Sequence, residues 1–131
     1  MSAARAKPSR VFKTTWFTKV ARKARIKDEE LCKAIAQVMK GQCDDLGGGV
    51  FKKRINKNQH RAIIIAKAGR HWIYEYLFAK KDRANIENNE LAAFRLLAKS
   101  YAGLSDKQIA KLLTDGDILE ICNDDQSEIQ K

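Results

Sequence analysis

Residues 50–83 constrain the fold more than any other part of the chain, because apolar and polar residues alternate there with strand periodicity. Two short polar segments divide this stretch, so it predicts three consecutive β-strands joined by tight turns. The strands are expected at residues 50–55, 61–67 and 71–79. The apolar run Ile63-Ile64-Ile65 predicts that the middle strand is covered on both faces and lies inside a sheet.

Lysine and arginine are concentrated in the same stretch, which holds ten of them against two acids. Because successive side chains of a strand point to opposite faces, Lys52 and Arg54 share one face of the first strand with Val50. A sheet that presents converging cations predicts a polyanionic partner, and we expect that partner to be RNA.

The residues before the predicted sheet have helical periodicity. A short strand at Val11-Phe12 precedes a helix over residues 15–25. Asp28 is expected to cap a second helix, whose apolar stripe ends at Gly41. We expect the two helices to form a hairpin that packs on the sheet.

Helical periodicity returns after the sheet. One helix is expected from Glu87 to Gly103, and Ser105 with Gln108 forms the capping box of another. A last short apolar element is expected at residues 118–121. The chain therefore predicts an α+β fold, in which an N-terminal strand and a two-helix hairpin pack on an antiparallel sheet and C-terminal helices follow.

The segment from Gln42 to Gly49 is predicted to be a loop, and it ends in three consecutive glycines. A triple glycine before a basic segment suggests a phosphate-binding loop. Such a loop needs a G-K-[ST] sequence and the N-terminus of a following helix, whereas a strand follows here. We therefore expect a flexible connection that leads into the sheet.

The cysteines do not predict a metal site. Cys32, Cys43 and Cys122 are odd in number and widely spaced, and no pair has C-x-x-C spacing. Neither histidine lies near a cysteine in the sequence. We expect free thiols and neither a bound metal nor a cofactor.

A length of 131 residues predicts one domain with its own core. We expect a flexible basic tail at residues 1–10, a single domain at 11–121 and an acidic tail at 122–131. Residues 1–114 carry 25 basic and 10 acidic groups, which again implies an anionic partner. No apolar run approaches the roughly 20 residues needed to span a bilayer, and no apolar segment typical of a secretory signal is present, so a cytoplasmic protein is expected.

The hairpin VFKKRI-x4-HRAIII, with a following strand that ends in FAKKDR, resembles the core of the RelE/ParE toxin superfamily. The order of elements is similar too, over about residues 11–100. The resemblance implies a RelE-like fold and the toxin of a type II toxin–antitoxin system. It further implies a metal-independent, ribosome-associated mRNA endoribonuclease that inhibits translation. The implied partner is a cognate antitoxin, a small helix-turn-helix protein whose acidic or amphipathic segment would cover the basic sheet.

The same resemblance implies roles for individual residues. Lys52 would accept a proton, while Arg54 and Arg61 would bind the phosphate. Lys81 lies where the family usually has arginine, and lysine keeps the charge but loses the bidentate geometry. The tyrosine that stacks on a base in the family is not matched, since Glu87 stands near its position. Further RNA contacts are expected from nearby basic residues: Lys53, Lys57, Lys80 and Arg83.

Cleavage of RNA by its own 2′-hydroxyl requires a proton acceptor, cations that stabilise the negative charge on the phosphate, and a donor for the leaving 5′-oxygen. A lysine crowded by other cations is disfavoured in its charged form and can act as the base. His60 is a further candidate acid or base, since several relatives use a histidine. The alternative for His60 is a turn histidine that faces solvent.

Two other classes of function stay open. A ParE-like toxin would inhibit a protein target such as gyrase without cutting RNA, but it does not need converging cations. A non-catalytic nucleic-acid-binding protein would keep the cations without the chemistry. Residues 103–113 resemble half of a helix-turn-helix motif, yet an acidic turn follows where a recognition helix is needed.

The aromatic residues also have two interpretations. Trp72, Tyr74 and Tyr76 could stack on RNA bases. Because their strand is apolar on both faces, we expect them to be core residues instead. Trp16 is expected to close the core between helix and sheet.

Overall fold

The computed structural model describes residues 9–68 and 70–122, and these form six strands and four helices. The elements follow in the order β1 Arg10–Thr14, α1 Thr15–Lys23, α2 Asp28–Met39, β2 Asp44–Gly47, β3 Val50–Ile55, β4 His60–Lys67, β5 His71–Ala79, α3 Asn88–Ala102, α4 Asp106–Asp115 and β6 Ile118–Ile121. The expected tails fall largely outside the described residues, although β1 already begins at Arg10.

All six strands belong to one sheet, in the order β2-β3-β4-β5-β1-β6. The three central strands pair antiparallel as predicted, but the sheet as a whole is mixed, because β1 lies parallel to β5. The expectation of an antiparallel sheet with a separate N-terminal strand was therefore wrong in this detail. Two helices separate β1 from the strands that follow, and such a long crossover allows a parallel pairing that a tight turn cannot provide.

Each face of the sheet has its own apolar core. The hairpin of α1 and α2 covers one face, where Phe17 and Leu31 pack on Ile64. Helices α3 and α4 cover the other face, where Ala98 and Ile109 are buried with others such as Ile63. Strand β4 is thus covered on both sides, as its isoleucine run predicts.

The segment predicted to be a loop contains an edge strand, β2, which forms a hairpin with β3. Gly47 ends β2, Gly48 and Gly49 make the turn of this hairpin, and all three glycines have positive φ. Arg95 of α3 lies against the turn and donates to the carbonyl oxygens of Leu46 and Gly47. The glycines are therefore required by backbone conformation and by the close approach of α3, rather than by flexibility.

A β-bulge interrupts the alternation of β5. Tyr74 is the Cα partner of Ile64 and Tyr76 that of Ile63, so Glu75 is the extra residue. Tyr74 and Tyr76 consequently face opposite sides of the sheet, although strict alternation would place them on the same side. Trp72 is buried in the core beneath α1 and α2 with Tyr74, as expected. The β5 side chains that pack in the core beneath α3 are Ile73, Tyr76 and Phe78.

Cys32 and Cys122 form a disulfide, so the expectation of three free thiols was wrong for this pair. Their Cα atoms are 5.4 Å apart although 90 residues separate them in sequence. They meet because β6 pairs with β1, and the end of β6 thereby lies beside α2. Cys43 is unpaired and half-buried.

The helix ends lie close to those that the sequence predicts. One detail differs, because the N-cap of α2 is Lys27 and the expected cap, Asp28, is the first residue of the helix. Ser105 and Gln108 form the expected capping box of α4. A strand, β6, follows α4 where a helix-turn-helix protein has its recognition helix. In the part of the chain that the structure describes, no helix is long and apolar enough to cross a bilayer.

Candidate nucleic-acid interface

Three of the expected site residues, Lys52, Arg54 and Arg61, lie on the sheet face that α3 also covers. We call these three residues the basic face. In β3, Lys52 and Arg54 alternate with side chains that point to α1 and α2. In β4, Arg61 is followed by Ala62, which packs in the core beneath α1 and α2, so Arg61 points to the other face. Arg54 is directly opposite Arg61 in the register of β3 and β4. The structure therefore brings these cations together as the sequence predicts.

Among the described residues, the two arginines of the basic face have no acidic partner. Neither forms an ion pair among the described residues. Arg61 donates instead to the backbone carbonyl oxygens of Asn58 and His60, at 3.0 and 3.2 Å. Like charges directly opposite one another destabilise a sheet. An anion bound between Arg54 and Arg61 would relieve this repulsion.

Lys52 has a different environment from the two arginines. Its Nζ donates to Oδ1 of Asn85 at 3.2 Å and lies 3.7 Å from Oδ2 of Asp44 on the neighbouring strand. Lys52 was expected to be crowded by cations and to act as a base. The structure instead places the Asp44 carboxylate near it, and in its ammonium form Lys52 can donate a proton or stabilise a negative charge.

His60 lies on the opposite face from Arg61, since the two residues are adjacent in β4. Its Nδ1 is 3.0 Å from the side-chain nitrogen of Asn56. An amide nitrogen can only donate, so Nδ1 accepts and the proton of the neutral ring lies on Nε2. Burial lowers the pKa of His60, and Lys81 adds to this effect while Asp82 opposes it. The fold therefore favours the neutral imidazole, whose Nδ1 lone pair accepts from Asn56.

A groove of about 970 Å³ runs between α1 and the C-terminal end of β5, and we call it the α1–β5 groove. Five expected site residues line it: Lys57, His60, Lys80, Lys81 and Arg83. Phe78 also lines the groove and is the direct partner of Arg61 in the sheet, so the groove adjoins the basic face. The structure thus divides the predicted site into two neighbouring parts.

Lys53 belongs to neither part. Its Nζ donates to the carbonyl oxygen of Gln42 at 2.9 Å, beneath α2.

Arg83 has a structural role that the sequence did not reveal. Its guanidinium donates to the Glu90 carboxylate, to the Tyr76 hydroxyl at 3.1 Å and to the Asn85 backbone, and it lies over the Phe78 ring. The hydrogen bond from Arg83 lowers the pKa of Glu90, and the hydrogen bond from the Glu87 backbone N–H lowers it further. Arg83 therefore holds the segment between β5 and α3 in place, and no periodicity or motif signals such a contact.

Trp16 was expected to close the core, but 47% of its surface is exposed. It lines the α1–β5 groove and stacks on Tyr76, with ring centroids 5.2 Å apart and planes 16° from parallel. The neighbouring Phe17 is the fully buried aromatic residue of α1. Helical geometry places consecutive residues about 100° apart, so only one of the two can enter the core.

Glu87, near the position of the unmatched tyrosine, is the N-cap of α3. Its backbone N–H donates to the Glu90 carboxylate at 2.6 Å. Across residues 9–68 and 70–122, no group of three or more His, Cys, Asp or Glu side chains is arranged to hold a metal ion.

The fold and the basic face define a small basic α+β protein whose sheet carries two arginines that have no ion-pair partner in the described structure. Residues 9–121 match the family model described as RelE toxin of RelE / RelB toxin-antitoxin system. The chain belongs to this family, as its hairpin predicted, and is the toxin component of a toxin–antitoxin system. Membership implies a cognate antitoxin as partner. No curated protein and no solved structure matches the chain significantly.

Proposed function

We propose that this toxin is a metal-independent, ribosome-associated endoribonuclease that cleaves mRNA and thereby inhibits translation. The observation that carries the proposal is the cross-strand pair Arg54 and Arg61, which has no acidic partner in the described structure. An anionic ligand would relieve the repulsion between these two cations, and the phosphate of RNA fits two guanidinium groups with bidentate geometry.

In the proposed reaction, the ribose 2′-oxygen attacks the adjacent phosphorus, and the bond from phosphorus to the 5′-oxygen breaks. Arg54 and Arg61 bind the phosphate and stabilise its additional negative charge. Lys52 lies on the same sheet face as the two arginines and carries the proton: its amine accepts the 2′-hydroxyl proton, and the resulting ammonium protonates the leaving 5′-oxygen. Lys81, beside His60 in the groove, adds positive charge near the RNA backbone.

The test is induced expression in bacteria, with growth and mRNA 5′ ends as readouts. The wild type is expected to arrest growth and to create new 5′ ends. The double variant Arg54→Ala/Arg61→Ala should lower cleavage by about 100-fold, since loss of a donor to the transition state costs about 10²–10³ in rate. The matched control Lys99→Ala/Lys107→Ala removes two exposed α3 and α4 cations and should cleave normally.

Other outcomes would replace the proposal. Growth arrest with intact mRNA would indicate a ParE-like toxin that acts on a protein target. Absence of arrest, together with RNA binding by the purified protein, would indicate a non-catalytic nucleic-acid-binding protein. Comparing purified toxin on mRNA with and without ribosomes tests whether the ribosome is required.

The antitoxin is proposed to be a small helix-turn-helix protein. An acidic or amphipathic segment of it would cover the basic face, where Arg54 and Arg61 pair with no acid in the described part of the chain. Co-expression with the antitoxin should then restore growth.

A further inference from the structure

We propose that the α1–β5 groove is a nucleobase-binding subsite in which Trp16 is the stacking platform. This inference rests on the proposed action on RNA and names the part of the RNA that the groove recognises. It places an aromatic contact on α1, far in sequence from the position of Glu87.

The first observation is an exposed aromatic ring held in a fixed orientation. Trp16 is about half exposed, although burying an indole is strongly favourable. Tyr76 supports one side of it as a nearly parallel ring, and the Tyr76 hydroxyl accepts a hydrogen bond from Arg83. Tyr76 also packs on Phe94 of α3, at 5.8 Å between ring centroids. The platform is therefore preorganised, so little entropy is lost when a base stacks on it.

The second observation is the charge around this ring. Lys23, Lys57, Lys80 and Lys81 line the same groove, and none of them forms an ion pair among the described residues. Asp82 is the single acid among the groove's described lining residues. A groove that combines a planar aromatic surface with several lysines is suited to a nucleotide, which has a flat base and an anionic phosphate.

The third observation is position. The groove adjoins the basic face through the pair Arg61 and Phe78, so an RNA strand bound at Arg61 reaches the groove within its next nucleotides. A volume of about 970 Å³ accommodates a nucleotide with its flanking phosphate. An acidic peptide of a partner would also satisfy the lysines, but it would not use the exposed indole face, so the observations favour RNA.

The experiment uses the full chain and fluorescein-labelled 2′-O-methyl RNA heptamers, which lack the attacking hydroxyl and are not cleaved. One heptamer carries bases and the other is abasic with the same number of phosphates. Fluorescence anisotropy should show that the wild type binds the base-containing heptamer about tenfold more tightly. Trp16→Ala should abolish this preference, and Trp16→Phe should retain part of it.

The control is Leu96→Ala, which removes another exposed apolar side chain, on α3, and should keep the full preference. Circular dichroism checks that each variant is folded. A folded Trp16→Ala protein that still prefers bases tenfold would overturn the proposal, as would a wild type without any preference. Loss of antitoxin binding in Trp16→Ala with an unchanged base preference would also overturn it and would assign the groove to a protein partner.

Failure of this inference is distinct from failure of the proposed function. If cellular mRNA is cleaved but the preference for base-containing RNA does not depend on Trp16, only the stacking site is wrong and the endoribonuclease proposal stands. If no mRNA is cleaved but the protein prefers base-containing RNA and this preference depends on Trp16, the endoribonuclease proposal is wrong and the stacking site is supported.

Discussion

His71 illustrates how one buried residue couples this fold to pH. It is 2% exposed and stacks on Phe12, and its Nδ1 has no hydrogen-bond partner in the described structure. Burial lowers the pKa of His71 from its ordinary value of 6.5, and the positive charges of Arg70 and Arg10 lower it further. The folded state therefore holds this imidazole neutral.

We expect the wild type to lose stability as the pH falls from 7 to 5. As the pH falls, His71 is protonated in the unfolded chain at a higher pH than in the folded protein. The stability that the neutral His71 contributes is therefore complete above about pH 6.5 and is lost as the pH falls through the lower pKa of the folded state. His71→Phe, which keeps a ring against Phe12, should lose less stability over this range in urea titrations. His60→Gln is the comparison at a half-buried histidine. An unchanged pH dependence in His71→Phe would contradict this account.

At the scale of elements, the β2–β3 hairpin is fixed by its glycines and by α3. Gly48 has a φ of +65°, and a Cβ built on it would lie 2.9 Å from Cγ of Arg95. Its neighbours in the turn have positive φ as well. Backbone conformation and packing against Arg95 both require glycine here.

Gly48→Ala should therefore destabilise the protein by about 1–2 kcal/mol, because an alanine in the left-handed region costs this amount. The control is Gly103→Ala at the end of α3, where φ is −86° and the nearest atom to a Cβ is 3.7 Å away. That change should be neutral or slightly stabilising. Thermal denaturation of both variants is the measurement, and equal melting temperatures would show that the turn is not under this constraint.

At the scale of the whole molecule, strand β6 completes the sheet, and the disulfide at its end connects the sheet to the N-terminal half of the chain. Strand β6 pairs with β1 and makes β1 an internal strand. Arg10 and Glu120 form an ion pair across these strands at 2.8 Å. The Cys32–Cys122 disulfide then connects the end of β6 to α2. Loss of this link should loosen the C-terminal strand first.

Reduction of the disulfide, or the substitution Cys32→Ser, should lower stability by about 2–4 kcal/mol, as expected for a cross-link that closes a long loop. The free energy of unfolding in urea, with and without dithiothreitol, is the measurement. Cys43→Ser changes the unpaired thiol and should have a much smaller effect. A wild type whose stability does not respond to dithiothreitol would refute this role for the disulfide.

Local signals predicted most elements of the fold. The isoleucine run identified the central strand, and Ser105 with Gln108 identified the start of α4. Strand β2 was missed because its four residues, Asp-Asp-Leu-Gly, have little strand propensity, and pairing with β3 makes them extended. For the candidate site, alternation along β3 and β4 placed the arginines of the basic face together. The groove was not predicted, since it depends on the packing of α1 beside β5.

The sequence by itself determined the types of element, the basic hairpin and the family, because these follow from periodicity and charge along a continuous segment. The tertiary structure decided which charges are available. Arg54 and Lys52 are two residues apart on one strand, yet of the two only Lys52 has an acid beside it among the residues that the structure describes. Arg83 and Cys32 also find their partners through the fold. Such contacts join residues distant in sequence, and no local pattern encodes them.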